Sequence, residues 1–366
     1  MLLLYSKHLL TAAYIKSFFI FVYMIPEEQL TEIKTYLEKA ECPLFFFDDD
    51  NDGLCSYVLF RQFTGKGYGV PIKAHPALDI TLLNKVEEHR PDYIFVLDKP
   101  LITQEFIDRV SVPVIWLDHH PLVHLNHVLY FNPKKQHPDE VSSTTYWAYK
   151  IVGGKLWIAV LGAVSDWTIP DYFHEFEKQY PDLTNGKSTA PDLLFNSRFG
   201  ELCRMFSFLT KGRTGDVKKR IKHILNVQEP YEVLDKTTKE GTYLFEESEK
   251  INLVYRDLLK KALSTPLQGN LLVFTYPQSD ISLTADLSNE LLYKNPGKVI
   301  LVGREKEGNI HMSLRSDSVA VNTILERILP YVDGYGGGHT YAVGASVKIT
   351  DFALFVEHLQ KEISRQ

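Results

Sequence analysis

Through the first half of the chain, apolar residues fall in short unbroken runs, and each run ends at an aspartate. Pro43-Leu-Phe-Phe-Phe47 precedes Asp48, and Asp92-Tyr-Ile-Phe-Val-Leu97 precedes Asp98. Val112-Pro-Val-Ile-Trp-Leu117 precedes Asp118, and the run 156–164 precedes Ser165-Asp166. Runs of this kind, bounded by turn residues, read as strands buried on both faces. Residues 26–40, 54–64 and 79–89 have helical character between them, and 69–74 is a further short strand. This alternation predicts βαβ units and a parallel sheet from Met24 to about Gly200. Residues 138–151 read as a loop entering a helix that Gly153-Gly154 ends.

Strand signals stop between 212 and 263. Val217, Ile221, Ile224 and Leu225 recur at helical spacing, as do Ile251, Val254, Tyr255, Leu258 and Leu259. This predicts a helical connector. Thr265-Pro266 opens a second α/β region with strands at 271–276, 299–303, 310–314 and 342–349 and helices at 283–293, 319–329 and 352–363. Gly334-Tyr-Gly336-Gly337-Gly338-His339 reads as a flexible glycine loop. The expected class is α/β: an N-terminal parallel-sheet domain (24–210), a helical connector (211–264) and a smaller C-terminal α/β domain (265–366).

With 366 residues, 45% hydrophobic and 23% charged, the chain has room for two cores of ordinary globular composition. A net charge of −6 excludes an indiscriminate polycation. Cys42, Cys55 and Cys203, with no CxxC, fit a reducing compartment without a disulfide framework, hence a cytoplasmic setting. The apolar stretch 9–25 is short for a membrane span and is interrupted by Lys16, so no stable membrane insertion is expected. Residues 1–23 are taken as an extension, with Met24 as a natural start.

Asp48-Asp49-Asp50-Asn51-Asp52-Gly53 concentrates carboxylates at the end of a strand. Such a cluster is unfavourable unless cations neutralise it, and oxygen donors at this density suit Mg²⁺ or Mn²⁺. A solvated Asx-rich turn is the alternative for this hexapeptide alone. The carboxyl ends of parallel strands share one edge of a sheet, where ligands bind, so the four aspartates converge there. The basic stretch 211–223, with Lys218, Lys219, Arg220 and Lys222, reads either as a nucleic-acid track or as a solvated helix face.

Taken together, Asp48-x-Asp50-x-Asp52-Gly, Asp98, Asp118-His119-His120 and Ser165-Asp166 resemble the four motifs of the DHH phosphoesterase superfamily. Arg315-Ser316, followed by Gly336-Gly337-Gly338-His339-x-x-Ala342-x-Gly344, resembles its DHH-associated domain. The first motif is similar to the RecJ side, with Phe46 where other branches place a histidine. Val343 stands where alanine is usual. The two-domain extent resembles archaeal RecJ-like nucleases.

The resemblance implies two Mn²⁺ or Mg²⁺ ions, with Asp48 and Asp50 on one, Asp52, His119 and Asp166 on the other, and Asp98 between them. Asp118 would orient ligands and His120 would donate to the scissile phosphate. Arg315, Ser316, Gly336, Gly337, Gly338 and His339 would bind substrate in a cleft between domains. The implied activity is 5′-to-3′ exonuclease action on single-stranded DNA or RNA, with a role in DNA repair. Alternatives are a nanoRNase, pAp phosphatase or cyclic-dinucleotide phosphodiesterase acting on short substrates, and a scaffold for replication or repair proteins.

Overall fold

The apolar runs ahead of Asp48, Asp98 and Asp118 form three adjacent strands of one sheet. The computed structural model describes residues 25–73, 77–279 and 281–365, so the extension 1–23 and Ala74 lie outside the described residues. The chain divides into two units, Met1–Phe245 and Glu246–Gln366. In the first, β1 (Leu44–Asp48), β2 (Tyr68–Ile72), β3 (Ile94–Leu97), β4 (Val114–Leu117) and β5 (Leu129–Phe131) are all parallel, in the order β2-β1-β3-β4-β5.

Side chains alternate between two cores. Phe45, Phe47, Phe95, Leu97, Ile115 and Leu117 enter one cluster, and Leu44, Phe46, Ile94, Val96, Val114 and Trp116 enter another. With both faces covered, no polar alternation survives in the sequence. The three-residue β5 is too short to have given a run.

Helices α1 (Glu27–Lys39), α2 (Asn51–Thr64), α3 (Leu83–His89) and α4 (Gln104–Arg109) are interleaved with the strands, and α5 (Thr144–Val152) follows them. The run 156–164, expected as a strand, is instead α6 (Leu156–Ser165). Every residue from Trp157 to Val164 is buried. A helix apolar on all sides has no 3.6-residue period, so its pattern is indistinguishable from that of a buried strand. The sheet pattern therefore ends before Gly200. Residues beyond α6 fold into α7 (Phe173–Gln179), α8 (Pro181–Thr184), α9 (Ala190–Asn196), α10 (Arg198–Leu209), α11 (Thr214–Ile224), α12 (Pro230–Leu234) and α13 (Lys239–Leu263), which carries the boundary between units. Val217, Ile221 and Ile224 are buried in the first unit's core.

The second unit contains β6 (Leu271–Tyr276), α14 (Thr284–Lys294), β7 (Val299–Lys306), β8 (Asn309–Arg315), α15 (Val321–Ile328), β9 (Gly334–His339), β10 (Ala342–Lys348) and α16 (Phe352–Ile363). Its sheet runs β9-β10-β8-β7-β6, parallel only between β6 and β7. The expected glycine loop is thus an edge strand, β9, paired with β10 from Gly334 opposite Val347 to His339 opposite Ala342. Glycine carries no strand signature, and the ladder with β10 supplies the order that composition hides. Among the described residues no helix is long and apolar enough to cross a membrane.

Helices α5 and α6 cross closely at Gly162, where an added Cβ would lie 2.3 Å from Thr145 Oγ1. Gly162→Ala should therefore cost roughly 1–3 kcal/mol through overpacking, read as a lower midpoint in urea unfolding. An unchanged midpoint would show that the pair relaxes freely.

Candidate metal centre

The order 2-1-3-4-5 places the topological switch point of the sheet between β1 and β3, and ligand crevices open there at the carboxyl ends. Asp48 is the last residue of β1, and Asp98 directly follows β3. Asp98 adopts φ 59°, a left-handed conformation that aspartate tolerates better than most residues. Asp50 is the N-cap of α2 and accepts the Gly53 N–H at 3.0 Å, while Asp52 lies in the first turn of that helix. At Gly53 a Cβ would meet the Asp48 carbonyl at 2.5 Å, so only glycine lets α2 start this close to β1.

Three groups of side chains offer ligand atoms within 4.8 Å of one another: Asp48, Asp50 and Asp98; Asp52, His119 and Asp166; and Asp98, His119 and His120. Asp98 and His119 each belong to two of these groups. His119 Nε2 lies 3.3 Å from Asp98 Oδ1, and its Nδ1 lies 3.6 Å from Asp166 Oδ2. Asp166 arrives from the carboxyl end of α6, not from a strand. All six residues expected as ligands are thus brought together with His120.

Hydrogen bonds hold these groups in place. Asp52 accepts the backbone N–H groups of Thr144 (2.8 Å) and Thr145 (2.7 Å) at the start of α5, where the helix dipole favours an anion. Thr144 Oγ1 donates to Asp98 Oδ1 at 3.1 Å. Asp118 is fully buried, receives Tyr130 Oη and Asn132 Nδ2, and lies 2.7 Å from His120 Nδ1. That arrangement orients a histidine in the manner of carboxylates behind metal sites. Asn51 Nδ2 donates to Ser165 Oγ and to the Cys203 carbonyl, each at 2.8 Å, linking α2 to the end of α6 and to α10.

Sequence reasoning missed Lys99. Its buried Nζ lies 2.7 Å from Asp48 Oδ1. The signal was its place directly after Asp98. The bracing threonines were also missed, although Ser143, which caps α5 by accepting the Tyr146 N–H, marks them.

Charge crowding governs protonation. Burial, then the charges of Asp52, Asp50 and Asp48, raise the Asp98 pKa well above the carboxylate range. Burial and the charges of Asp52 and Asp50 do the same to Asp166. Desolvation and the neighbouring Asp48 and Asp52 push Asp50 up to about 7, although its side chain reaches solvent. Burial lowers His119 to about 4, which leaves it neutral and able to ligate. For His120, burial acts downward but is outweighed by the hydrogen bond and charge of Asp118, so its pKa is raised.

The donors fit hard divalent cations, since they are carboxylates plus one or two imidazoles. Two such ions together with Lys99 would match the charge of Asp48, Asp50, Asp52, Asp98 and Asp166.

The remaining candidates are not members of these ligand groups. In the second unit, Arg315 donates through Nε to Asn289 Oδ1 and through Nη1 to the carbonyls of Leu314 and Val343. Burial lowers its pKa to about 10, so it stays charged at neutral pH. Ser316 is buried, and its Oγ accepts the N–H groups of Ser318 and Val319. Gly336, Gly337, Gly338 and His339 are exposed on β9. On α11, Arg220 is buried with Nη1 on the Lys211 carbonyl, and Lys219 Nζ lies 4.9 Å from the Tyr243 ring centroid. Lys218 is half-buried and Lys222 exposed.

Residues 270–365 match the DHHA1 domain family. No match was found among curated protein sequences. The structure is similar to RecJ in complex with Mn²⁺ from Thermus thermophilus, with TM-score 0.67 and 14% identity over 94% of this chain and 56% of that one. It is similar to an exonuclease RecJ bound to manganese, with TM-score 0.61 and 15% identity over 92% and 94%. It also resembles the DHH domain of a member of a family of ribosomal proteins, with TM-score 0.64 and 14% identity over 92% and 89%. The chain thus spans little more than half of the Thermus thermophilus protein. Its fold is the one shared by these RecJ and DHH-domain structures. The architecture is RecJ-like, with a DHHA1 domain at its C-terminal end.

Two outcomes follow from the charge balance. Lys99→Met removes a cation that an incoming ion must share Asp48 with, so Mn²⁺ should bind this variant more tightly than wild type in calorimetric titration. Weaker binding would show that Lys99 supports the ion. The second concerns pH. Asp50 binds its proton more tightly when folded (pKa about 7) than when unfolded (3.8), so metal-free stability falls as pH rises between those values. The thermal midpoint without metal should fall between pH 5 and 8, and the upward shift on adding Mn²⁺ should be larger at pH 8.

Proposed function

We propose that this chain is a metal-dependent phosphodiesterase that degrades single-stranded nucleic acid from the 5′ end and releases 5′-mononucleotides. The observation that supports this most is the pair of ligand groups sharing Asp98 at the β1/β3 switch point. Ions bound there lower the pKa of water and take up charge on the phosphate oxygens. The chain's own residues do the rest. Asp48 and Asp50 would hold one ion and Asp52, His119 and Asp166 the other, with Asp98 placed to join either set. His119 stays neutral through the working pH range because burial lowers its pKa. His120, fixed by Asp118 and keeping its proton to higher pH than a free histidine, donates to the phosphate. Lys73, Lys99 and Lys211 bring positive charge beside Asp49 at this edge, which favours a polyanion.

A second reading has its own support. Arg220 is committed to a backbone carbonyl and Lys219 to an aromatic ring, which leaves less of α11 for a long strand. A substrate of two to a few nucleotides, such as nanoRNA or a linear dinucleotide, needs no such track. End-labelled single-stranded DNA, single-stranded RNA and a dinucleotide series, digested with Mn²⁺, separate the two. A ladder of 5′-mononucleotides from long strands supports the exonuclease, and cleavage of dinucleotides alone supports the short-substrate enzyme. No hydrolysis of any of them, with Mn²⁺ bound, would leave a scaffold.

Asp98→Ala should lose more activity than Asp48→Ala, and more than the roughly 10–100-fold typical of residues behind metal ligands. Equal, mild losses would count against a shared ligand. Arg315→Ala and His339→Ala should raise KM without changing metal content, because neither belongs to the ligand groups. Loss of metal in either variant, measured by elemental analysis, would refute that division of labour.

A further inference from the structure

Helix α6 ends in two backbone bonds, from the Thr168 N–H to the Ala163 carbonyl and from the Trp167 N–H to the Val164 carbonyl, each at 3.0 Å. This is the Schellman arrangement, whose left-handed position usually holds glycine. Here Trp167 holds it, at φ 61°. A bulky side chain in that conformation is strained, and strain of this kind gathers at functional sites. The indole does not repay the strain by burial. Trp167 is 41% exposed, whereas Trp116, Trp147 and Trp157 are at most 1% exposed. The residue directly before it is Asp166 of the metal centre.

Trp167 also packs beside a residue that lines a cleft. Its ring centroid lies 6.0 Å from that of Phe195. Phe195 lines a cleft of about 390 Å³ together with Asn196, Arg198, Glu201 and Arg204. The wall of this cleft is tied to the metal centre, because Asn51 Nδ2 bonds both the Cys203 carbonyl, beside Arg204, and Ser165 Oγ, beside Asp166. Arg198 is ion-paired with Asp182 and Asp235; the aromatic face of Phe195 with the amide of Asn196 and the carboxylate of Glu201 supplies what a nucleoside requires, a platform for the base and partners for its edge.

We propose that Trp167, backed by Phe195, is the stacking platform for the nucleobase adjoining the scissile phosphate, and that the cleft receives that nucleoside. This rests on the phosphodiesterase reading and names the part of the substrate the metal centre does not hold. Stacking accepts any base, so the site favours nucleotides over other phosphodiesters without selecting sequence.

Comparison with Trp167→Phe separates the signal of the exposed indole from that of the three buried tryptophans. AMP should quench the fluorescence of the full-length protein with Mn²⁺, ribose 5-phosphate should not, and Trp167→Phe should abolish the change. In kinetics, Trp167→Gly should raise KM for a dinucleotide about tenfold or more, with no effect on a dinucleotide whose neighbouring base is replaced by tetrahydrofuran. Trp167→Phe should stay close to wild type on both. Trp167→Gly should melt no lower than wild type, since glycine relieves the strain. Equal KM changes for the base-bearing and abasic substrates, or quenching by ribose 5-phosphate as strong as by AMP, would overturn the proposal while leaving phosphodiester hydrolysis intact. Quenching by AMP in a wild-type protein that hydrolyses nothing would uphold the nucleoside site and refute the enzymatic reading.

Discussion

Mutual repulsion among carboxylates at the ends of two neighbouring strands is the constraint to which the rest of the first unit answers. Burial together with the charges of Asp48 and Asp52 raises the proton affinity of Asp50 and of Asp98, which is 2% exposed, and burial with the charges of Asp52 and Asp50 raises that of Asp166. Left alone, such a cluster would protonate or push the sheet edge apart. The fold offsets part of the charge with fixed positive ends: the first N–H groups of α5 on Asp52, the start of α2 on Asp50 and the Lys99 ammonium on Asp48. What remains is the sign and amount of charge that divalent cations supply. Preorganisation and ion affinity therefore come from the same arrangement, since each internal cation that steadies a carboxylate also competes with the ion for it.

The three strands of the switch point were legible in the sequence because burial on both faces leaves apolar runs, and because an aspartate after each run breaks a pattern that capping alone does not produce. The same logic misread residues 156–164, where an all-round buried helix gives an identical run. The error did not affect Asp166, which still reaches the site, but it hid the αL residue after it. A strand would have sent Trp167 into a turn, whereas a helix with a Schellman end holds it beside the ligand group. Lys99, Thr144 and Thr145 were missed for a different reason. Lys99 acts through one long side chain, and the threonines act on Asp52 through backbone N–H groups, which have no residue-type signature, with the Thr144 hydroxyl added on Asp98.

In the second unit the strands and helices were legible, but the glycine segment was not, because an edge strand of glycines is ordered by its partner and not by its own propensity. Its chemical character differs from that of the first unit in kind. Arg315 donates to three protein acceptors, its charge persists at neutral pH, and the unit's exposed edge combines bare backbone with Tyr335 and His339. Nothing there resembles a ligand group for a divalent ion among the described residues. A surface of that composition suits contact with the backbone and bases of a polyanion. On the proposed phosphodiesterase reading, bond breaking is confined to the β1/β3 switch point. On this division, specificity for length is set by surfaces outside the metal centre, so variants of the second unit and of α11 should alter which substrates are cleaved before they alter how the bond is broken.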